Sequence, residues 1–279
     1  MPVKTSIVDR FPAVLLLAWR PHLTVALLAA AVAGASRAWG GAAAAAALAV
    51  AAPAVLHRRP APTPPPADGD VVVLVLNVWH GRADPAALAA LIGRERPDLV
   101  VLPEAGHAYC GRILERVAGY RGVASLQPGR RDGWGVTVLA GPRAAGVAME
   151  PGHAMRLPHV RVSGGLLGHR ALYAVHTTAP ARLGVVHDWR RDLRVAAGWS
   201  AEGAIVAGDI NATVDHRLLR AVGPSAGPLG AGTWPARLPR WAGIRIDHVL
   251  LPDGAVSTGA SVHDVPGSDH RAVVARVRL

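Results

Sequence analysis

After residue 70 the chain repeats one pattern: a short continuous apolar run, then a polar residue, then a turn or an amphipathic stretch. The runs "VVVLVLNV" (71–78), "DLVVLPE" (98–104), "GVTVLAG" (135–141), "ALYAVHTT" (171–178), "AIVAGDI" (204–210), "IDHVLLP" (246–252) and "RAVVARVRL" (271–279) are rich in valine and leucine. Runs of this length without polar alternation predict strands buried on both faces. Between them, "DPAALAALIGRER" (84–96) predicts a helix, with Asp84 as N-cap and Pro85 at the first helical position. Further helices are expected in 107–120 and in 184–201, where Val185, Leu193 and Trp199 recur at loosely helical spacing. Strands and helices alternating within one domain predict a layered α/β fold over 71–279.

Residues 1–57 follow a different pattern. Three apolar runs occur there: "FPAVLLLAW" (11–19), "LTVALLAAAVAGA" (23–35) and "GGAAAAAALAVAAPAVL" (40–56), the last two separated by the turn-like "ASRAWGG" around Arg37. A bilayer core takes about 20 apolar residues per helix, so these runs sit near or below that limit. The alanine-rich runs lack a polar face, which suits lipid better than the edge of a globule. A membrane-anchoring segment of two spans is expected, or three if the first run extends back to Val8 and Asp9. A cleaved leader with Lys4 and Arg10 as its charged part would not need the two later runs. The side of the membrane stays open. Two spans keep Lys4, Arg10, Arg20, Arg58 and Arg59 on one side and leave residues 71–279 cytoplasmic, whereas three spans place them outside. The stretch "RRPAPTPPPADGD" (58–70), with prolines at 60, 62, 64, 65 and 66, predicts an extended linker.

Composition narrows the reading only slightly. The 279 residues allow one large domain plus an accessory segment, and Cys110, the single cysteine, excludes an intrachain disulfide. Net charge is +11. Lys4 is the only lysine and the arginines are scattered, which fits compositional bias better than a compact nucleic-acid footprint.

The polar residues that close the apolar runs carry the chemistry. Asn77 ends the first, Glu104 the second and His176 the fourth. Asp209 and Asn211 lie in "GDINAT", Asp247 and His248 in "RIDHVLL", and Asp269 and His270 in "GSDHRAVV". Ligand sites in open α/β sheets form at such strand ends. Taken singly, each has an ordinary structural explanation: a turn asparagine, a loop acid, a core histidine, an aspartate paired with arginine. Their recurrence at successive strand ends points instead to one site. Hard oxygen donors such as Asn77, Glu104 and Asp269 suit Mg²⁺ or Mn²⁺ rather than zinc. A carboxylate such as Asp209 can orient or deprotonate water, and histidines can bond phosphoryl oxygens as charge develops. Asp209 and Asn211, two apart on a strand, are expected to share a face, with Ile210 turned inward.

In order, "LNV", "PDLVVLPE", "VHT", "GDINA", "IDHVLL" and "GSDHRAV" resemble the endonuclease/exonuclease/phosphatase superfamily, the DNase I-like group, over about residues 70–279. The resemblance implies a four-layer α/β/β/α sandwich of two packed sheets. It implies metal ligation by Glu104 with Asn77 and Asp269 close by, Asp209 as the water-orienting acid, and Asn211 beside it on the scissile phosphate. His176 and His270 become the phosphate-side histidines, and Asp247 the support of one of them. His248 stands where many members carry an aromatic or aliphatic residue and is given no catalytic role. The N-terminal apolar segment and proline linker resemble a membrane-anchored bacterial branch, some of whose members act on polyprenyl pyrophosphates outside the cell.

The expected activity is metal-dependent hydrolysis of a phosphate ester or pyrophosphate, on a small-molecule or lipid-linked substrate, by a multi-pass protein of the cell membrane. Two alternatives stand beside it. A nuclease would use "GTWPARLPRWAG" (232–243), with Trp234, Arg237, Arg240 and Trp241, to grip a nucleic-acid base. A catalytically silent binding module would keep the fold without the reaction, yet clustered acids and histidines cost stability when they have no task.

Overall fold

In the computed structural model, which describes residues 9–34, 38–57, 63–227 and 230–279, the apolar runs form the strands of two packed sheets. The first sheet has the order β10 (Val256–Asp264), β11 (Arg271–Arg278), β1 (Val71–Val75), β2 (Leu99–Pro103), β4 (Val136–Ala140), β3 (Arg121–Ala124). The second runs β5 (Val147–Gly152), β6 (His159–Gly164), β7 (Ala171–His176), β8 (Ile205–Asp209), β9 (Asp247–Leu250). Both sheets are mixed: β1–β2 and β7–β8 are parallel, and the remaining pairs are antiparallel.

Every residue of β1, β2, β4 and β8 is buried, because each strand faces the opposing sheet on one side and helices on the other. Val73, Val75, Val101 and Val138 meet Val162, Leu172, Ile205 and Val249 between the sheets. On the outer face of the first sheet, Leu74 and Val100 pack on Leu88, Leu91 and Ile92 of α4 (Pro85–Glu95) and on Tyr109 and Ile113 of α5 (His107–Leu114). On the outer face of the second, Val175 and Val206 pack on Trp189, Leu193 and Ala196 of α6 (Val186–Ala201), with Leu218 and Leu219 of α7 (Arg217–Arg220). The Asp84 carboxylate caps α4 through the Ala86 N–H, and the left-handed Arg96 ends it.

The N-terminal segment forms α1 (Ala13–Ala18), α2 (Arg20–Ala33) and α3 (Ala38–His57), with α2 packed against α3. Among the described residues no helix is long and apolar enough to cross a membrane. At about 1.5 Å per residue, α2 with 14 residues extends only about 21 Å. The run at 11–19 does not behave as a span. It yields a helix of six residues whose Val14 is fully buried in the α6–α7 core beside Trp189 and Leu218. Arg20 pairs with the buried Asp215 at 2.6 Å, the His216 ring lies 2.9 Å from the Val14 carbonyl, and Arg190 donates to the Asp9 carbonyl. Lys4, Val8, Arg37, Arg58 and Arg59, on which the number and orientation of spans turned, lie outside the described residues. The end of the proline-rich stretch rests on the sheet: Arg278 bonds the Pro65 carbonyl and Asp70, and Thr258 donates to Asp70 at 2.7 Å.

Candidate active site

Strand register assembles half of the site. In β7, β8 and β9, His176 pairs with Asp209 and Asp209 pairs with Asp247, so three titratable residues end neighbouring strands in step. Like charges directly opposite one another destabilise a sheet, so this edge needs a compensating cation. His270, which immediately precedes β11 of the other sheet, supplies it. Its Nδ1 lies 2.9 Å from Asp247 Oδ2 and its Nε2 3.8 Å from Asp209 Oδ2. His176 Nε2 approaches the same Asp209 oxygen at 3.7 Å.

Asp209 is 2 % exposed. Burial raises its pKa, and Asp247 raises it further; His270, His176 and the Asn77 hydrogen bond act in the opposite direction without cancelling the effect. For His270, burial alone would lower the pKa. The carboxylates of Asp247, Asp209 and Asp269 outweigh it and push the group up to about 10, so it is an imidazolium at neutral pH. Asp247 therefore supports His270, settling which of the two histidines it holds.

The first sheet brings the remaining groups. The Asn77 carboxamide donates to Glu104 Oε1 at 3.0 Å and to Asp209 Oδ2 at 2.9 Å, tying the two sheet edges together. Glu104 Oε2 accepts from the His80 N–H, and the His80 ring lies 3.1 Å away. Asp269 accepts from the Trp234 indole at 3.2 Å with one oxygen, while its other oxygen is buried without a hydrogen-bond partner. Ser268 joins this loop to β1, donating to the Asn77 carbonyl and accepting from the His270 N–H.

Asn211 departs from the expected strand geometry. β8 stops at Asp209, and Asn211 lies beyond it in the left-handed region with φ +48. Its N–H bonds Asp209 Oδ1 and its carboxamide bonds the Thr177 carbonyl, so it meets Asp209 by closing a turn and not by two-residue alternation. Ile210 is fully buried. Among the described residues, the non-glycine positions with positive φ are Trp79, His80, Arg96, Glu104 and Asn211. All but Arg96 surround this site, and backbone strain of this kind collects where geometry serves chemistry. Gly208 has the same cause: a Cβ there would lie 1.8 Å from the Val175 carbonyl oxygen. His248 is fully buried, bonded to Ser225 and to the Ala212 carbonyl, and supports the turn after β8.

His80, Trp234, Thr233 and Asp192 contribute without having been singled out as catalytic from sequence. Thr233 Oγ1 accepts from the Ile246 and Asp247 N–H groups, fixing the start of β9. Asp192 of α6 holds Thr178, next to the Thr177 that binds Asn211. Only the aromatic and arginine content of 232–243 marked the Trp234 loop. Asp192 carried no signal, since its partner lies on another element.

The profile of the Endonuclease/Exonuclease/phosphatase family matches residues 74–270. The chain belongs to this family. Solved structures agree on the fold. The endonuclease/exonuclease/phosphatase from Beutenbergia cavernae DSM 12333 is 22% identical with a TM-score of 0.57, covering 75% of this chain and 72% of that one. The mannosyl-6-phosphatase of Bacteroides thetaiotaomicron VPI-5482 is 14% identical with a TM-score of 0.56, covering 75% and 100%. Humanized D. rerio TDP2 is 15% identical with a TM-score of 0.56, covering 76% and 100%. No curated protein matches the chain. Enzymes of the family usually hydrolyse phosphoester bonds with a divalent metal.

The donors present fit such an ion. Asp209, Asp247 and His270 place ligand atoms within 4.8 Å of one another. In that trio His270 Nδ1 and Asp247 Oδ2 are already bonded to each other at 2.9 Å, which takes both atoms out of the ligand set. The oxygens of Glu104 and the orphaned oxygen of Asp269 make the harder and better-suited set, whereas Asn77 turns its amide N–H groups toward Glu104 and Asp209 and its oxygen toward the Trp79 N–H.

Proposed function

We propose that this protein is a membrane-anchored, Mg²⁺- or Mn²⁺-dependent phosphoesterase that hydrolyses a phosphate ester or pyrophosphate, including lipid-linked ones, by attack of water. The observation that carries the reading is the placement of His176 and His270 on either side of one buried carboxylate, Asp209, with both Nε2 atoms within 4 Å of the same oxygen. Glu104 and Asp269, with Asn77 beside them, would hold the metal, which when bound neutralises phosphate charge and stabilises the leaving oxygen. Asp209, held by Asn77 and by the Asn211 N–H, orients the attacking water and takes its proton. Its raised pKa makes it a better base than an exposed aspartate. His270, kept charged by Asp247, and His176 donate to the phosphoryl oxygens as negative charge grows. Burying Asp209 and Asp247 together with His270 costs stability that a silent module has no reason to bear.

The anchoring part of the proposal rests on the alanine-rich α2–α3 pair and its exposed Val25, Leu28, Val32 and Leu48. The nuclease alternative draws support from a structural neighbour, D. rerio TDP2 complexed with single strand DNA product. The full chain in detergent micelles should be assayed with Mg²⁺, Mn²⁺ or EDTA on a polyprenyl pyrophosphate, a soluble phosphodiester and plasmid DNA. Metal-dependent phosphate release from the lipid supports the reading. Cleavage of DNA alone replaces it with a tethered nuclease, and no turnover of any substrate rejects catalysis.

A further inference from the structure

Large apolar side chains that stay exposed are unevenly placed. In the catalytic part, among the described residues, they are Trp79, Trp134, Leu183, Trp241 and Val256, exposed by 37%, 57%, 73%, 78% and 42%. All but Val256 lie in the loops and short 3-10 turns that adjoin the strand ends of the site. Trp79 follows Asn77 by two residues. Trp134 lies just before β4, whose first residue pairs with Pro103, the neighbour of Glu104. Leu183 lies on the loop after His176. Trp241 belongs to the loop whose Trp234 bonds Asp269. An exposed arginine accompanies each: Arg82 stacks on Trp79 at 4.6 Å, Arg131 precedes Trp134, Arg182 precedes Leu183, and Arg240, which pairs with Asp264 at 2.9 Å, precedes Trp241. Indole and leucine beside guanidinium suit the headgroup zone of a bilayer, where rings sit at the polar boundary and arginines meet phosphates.

The other exposed large apolar residues, Leu16, Val25, Leu28, Val32, Trp39 and Leu48, all belong to the N-terminal helices. Those helices join the domain at the same rim. Trp19 meets Trp234 edge-on at 6.4 Å between ring centroids, and Arg20 pairs with Asp215 four residues after Asn211. A cleft of about 120 Å³ at this junction is lined by Ala18, Pro21 and His22 on one side and by Val214, Trp241 and Ile244 on the other. The apolar surface of the helices and that of the mouth therefore meet at Trp241.

From this we infer that the catalytic mouth lies against a lipid bilayer, with Trp134, Leu183 and Trp241 seated among the headgroups, so that the site meets phosphorylated lipid in the leaflet surface. The docked N-terminal segment sets that orientation, and the rim residues hold it. The lipid substrate rests on the phosphoesterase reading; the membrane-facing surface does not.

The test uses the full chain reconstituted in vesicles of phosphatidylcholine and phosphatidylglycerol. Leu183→Cys and, separately, Val256→Cys are labelled with a polarity-sensitive fluorophore; Cys110 is buried and stays unlabelled. The label at 183 is expected to shift to the blue and to be quenched by brominated acyl chains, while the label at 256 keeps the emission of water. Equal, water-like emission at both positions would overturn the inference, as would a shift at 183 produced only by single-stranded DNA. A second measurement compares turnover on a vesicle-embedded phosphorylated lipid with turnover on a water-soluble phosphate ester. The ratio should fall about tenfold or more in Leu183→Ser/Trp241→Ser, corresponding to about 1.4 kcal/mol, and an unchanged ratio would contradict the inference. If the parent chain hydrolyses neither substrate, the phosphoesterase reading fails, and the label still decides the orientation.

Discussion

His270 and Asp247, brought together by the packing of the two sheets, meet at 2.9 Å, and this contact holds a positive charge 3.8 Å from the buried Asp209 carboxylate. The folded pKa of His270, about 10, lies above the ordinary 6.5. A raised pKa means the folded state binds the proton more tightly. Its stabilising effect is complete below pH 6.5 and is lost as pH rises towards 10. Asp247→Asn removes the strongest stabiliser of that charge. Its alkaline fall in kcat/KM is expected at least about one pH unit below that of the parent, with kcat reduced about 10²-fold or more. Superimposable pH–rate profiles would show that Asp247 does not hold His270 in its working state.

Gly208 permits the sharp path of β8 into Asp209. With φ +148 and a Cβ position 1.8 Å from the Val175 carbonyl oxygen, alanine forces β7 and β8 apart. Gly208→Ala is expected to lower stability by more than about 2 kcal/mol and to displace Asp209 from His176. Urea unfolding of the two proteins checks the first effect, and residual activity under folding conditions checks the second.

Histidines buried as neutral rings set the acid limit. Burial lowers His159 to about 4, with His153 adding to the effect, and lowers His248 to about 3. Between pH 6.5 and these values the unfolded chain takes up protons that the folded chain refuses, so stability falls as pH falls. His159 packs against Trp199 at 4.8 Å and Tyr173 at 5.7 Å, contacts that a phenyl ring can keep. His159→Phe should flatten the loss of stability between pH 6.5 and 4.5 by about one proton, or about 1.4 kcal/mol per pH unit. Denaturant midpoints across that range measure the slope, and an unchanged slope would mean that His159 titrates normally.

How much of this was legible in sequence depends on where each residue's partner lies. Strands β1, β2, β4 and β8 are buried on both faces, so their unbroken apolar runs announced them. β3, β5 and β10 lie on sheet edges, where Arg121, Glu150 and Asp264 face water and blur any period; they were not foreseen, nor was β6. The strand-end acids and histidines were legible because each closes an apolar run. The partner of Asp247 was not, since both histidines stood at strand ends and only the packing of the two sheets brings His270 to it. Asn211 was placed on the wrong basis because nothing local marks Asp209 as the last strand residue. The first N-terminal run read as apolar without revealing that Val14 belongs to the domain core, a contact some 200 residues away.

The central claim is that Asp209 serves hydrolysis and not the fold. Its raised pKa means that the surroundings disfavour the charged carboxylate, so a neutral isostere should relieve the protein. The most direct measurement is metal-dependent phosphate release by purified Asp209→Asn beside the parent chain, with thermal unfolding of both at pH 7.5. The account predicts turnover reduced at least about 10³-fold and a melting temperature equal or higher by about 2–4 °C. Near-normal turnover in a folded Asp209→Asn protein would contradict it.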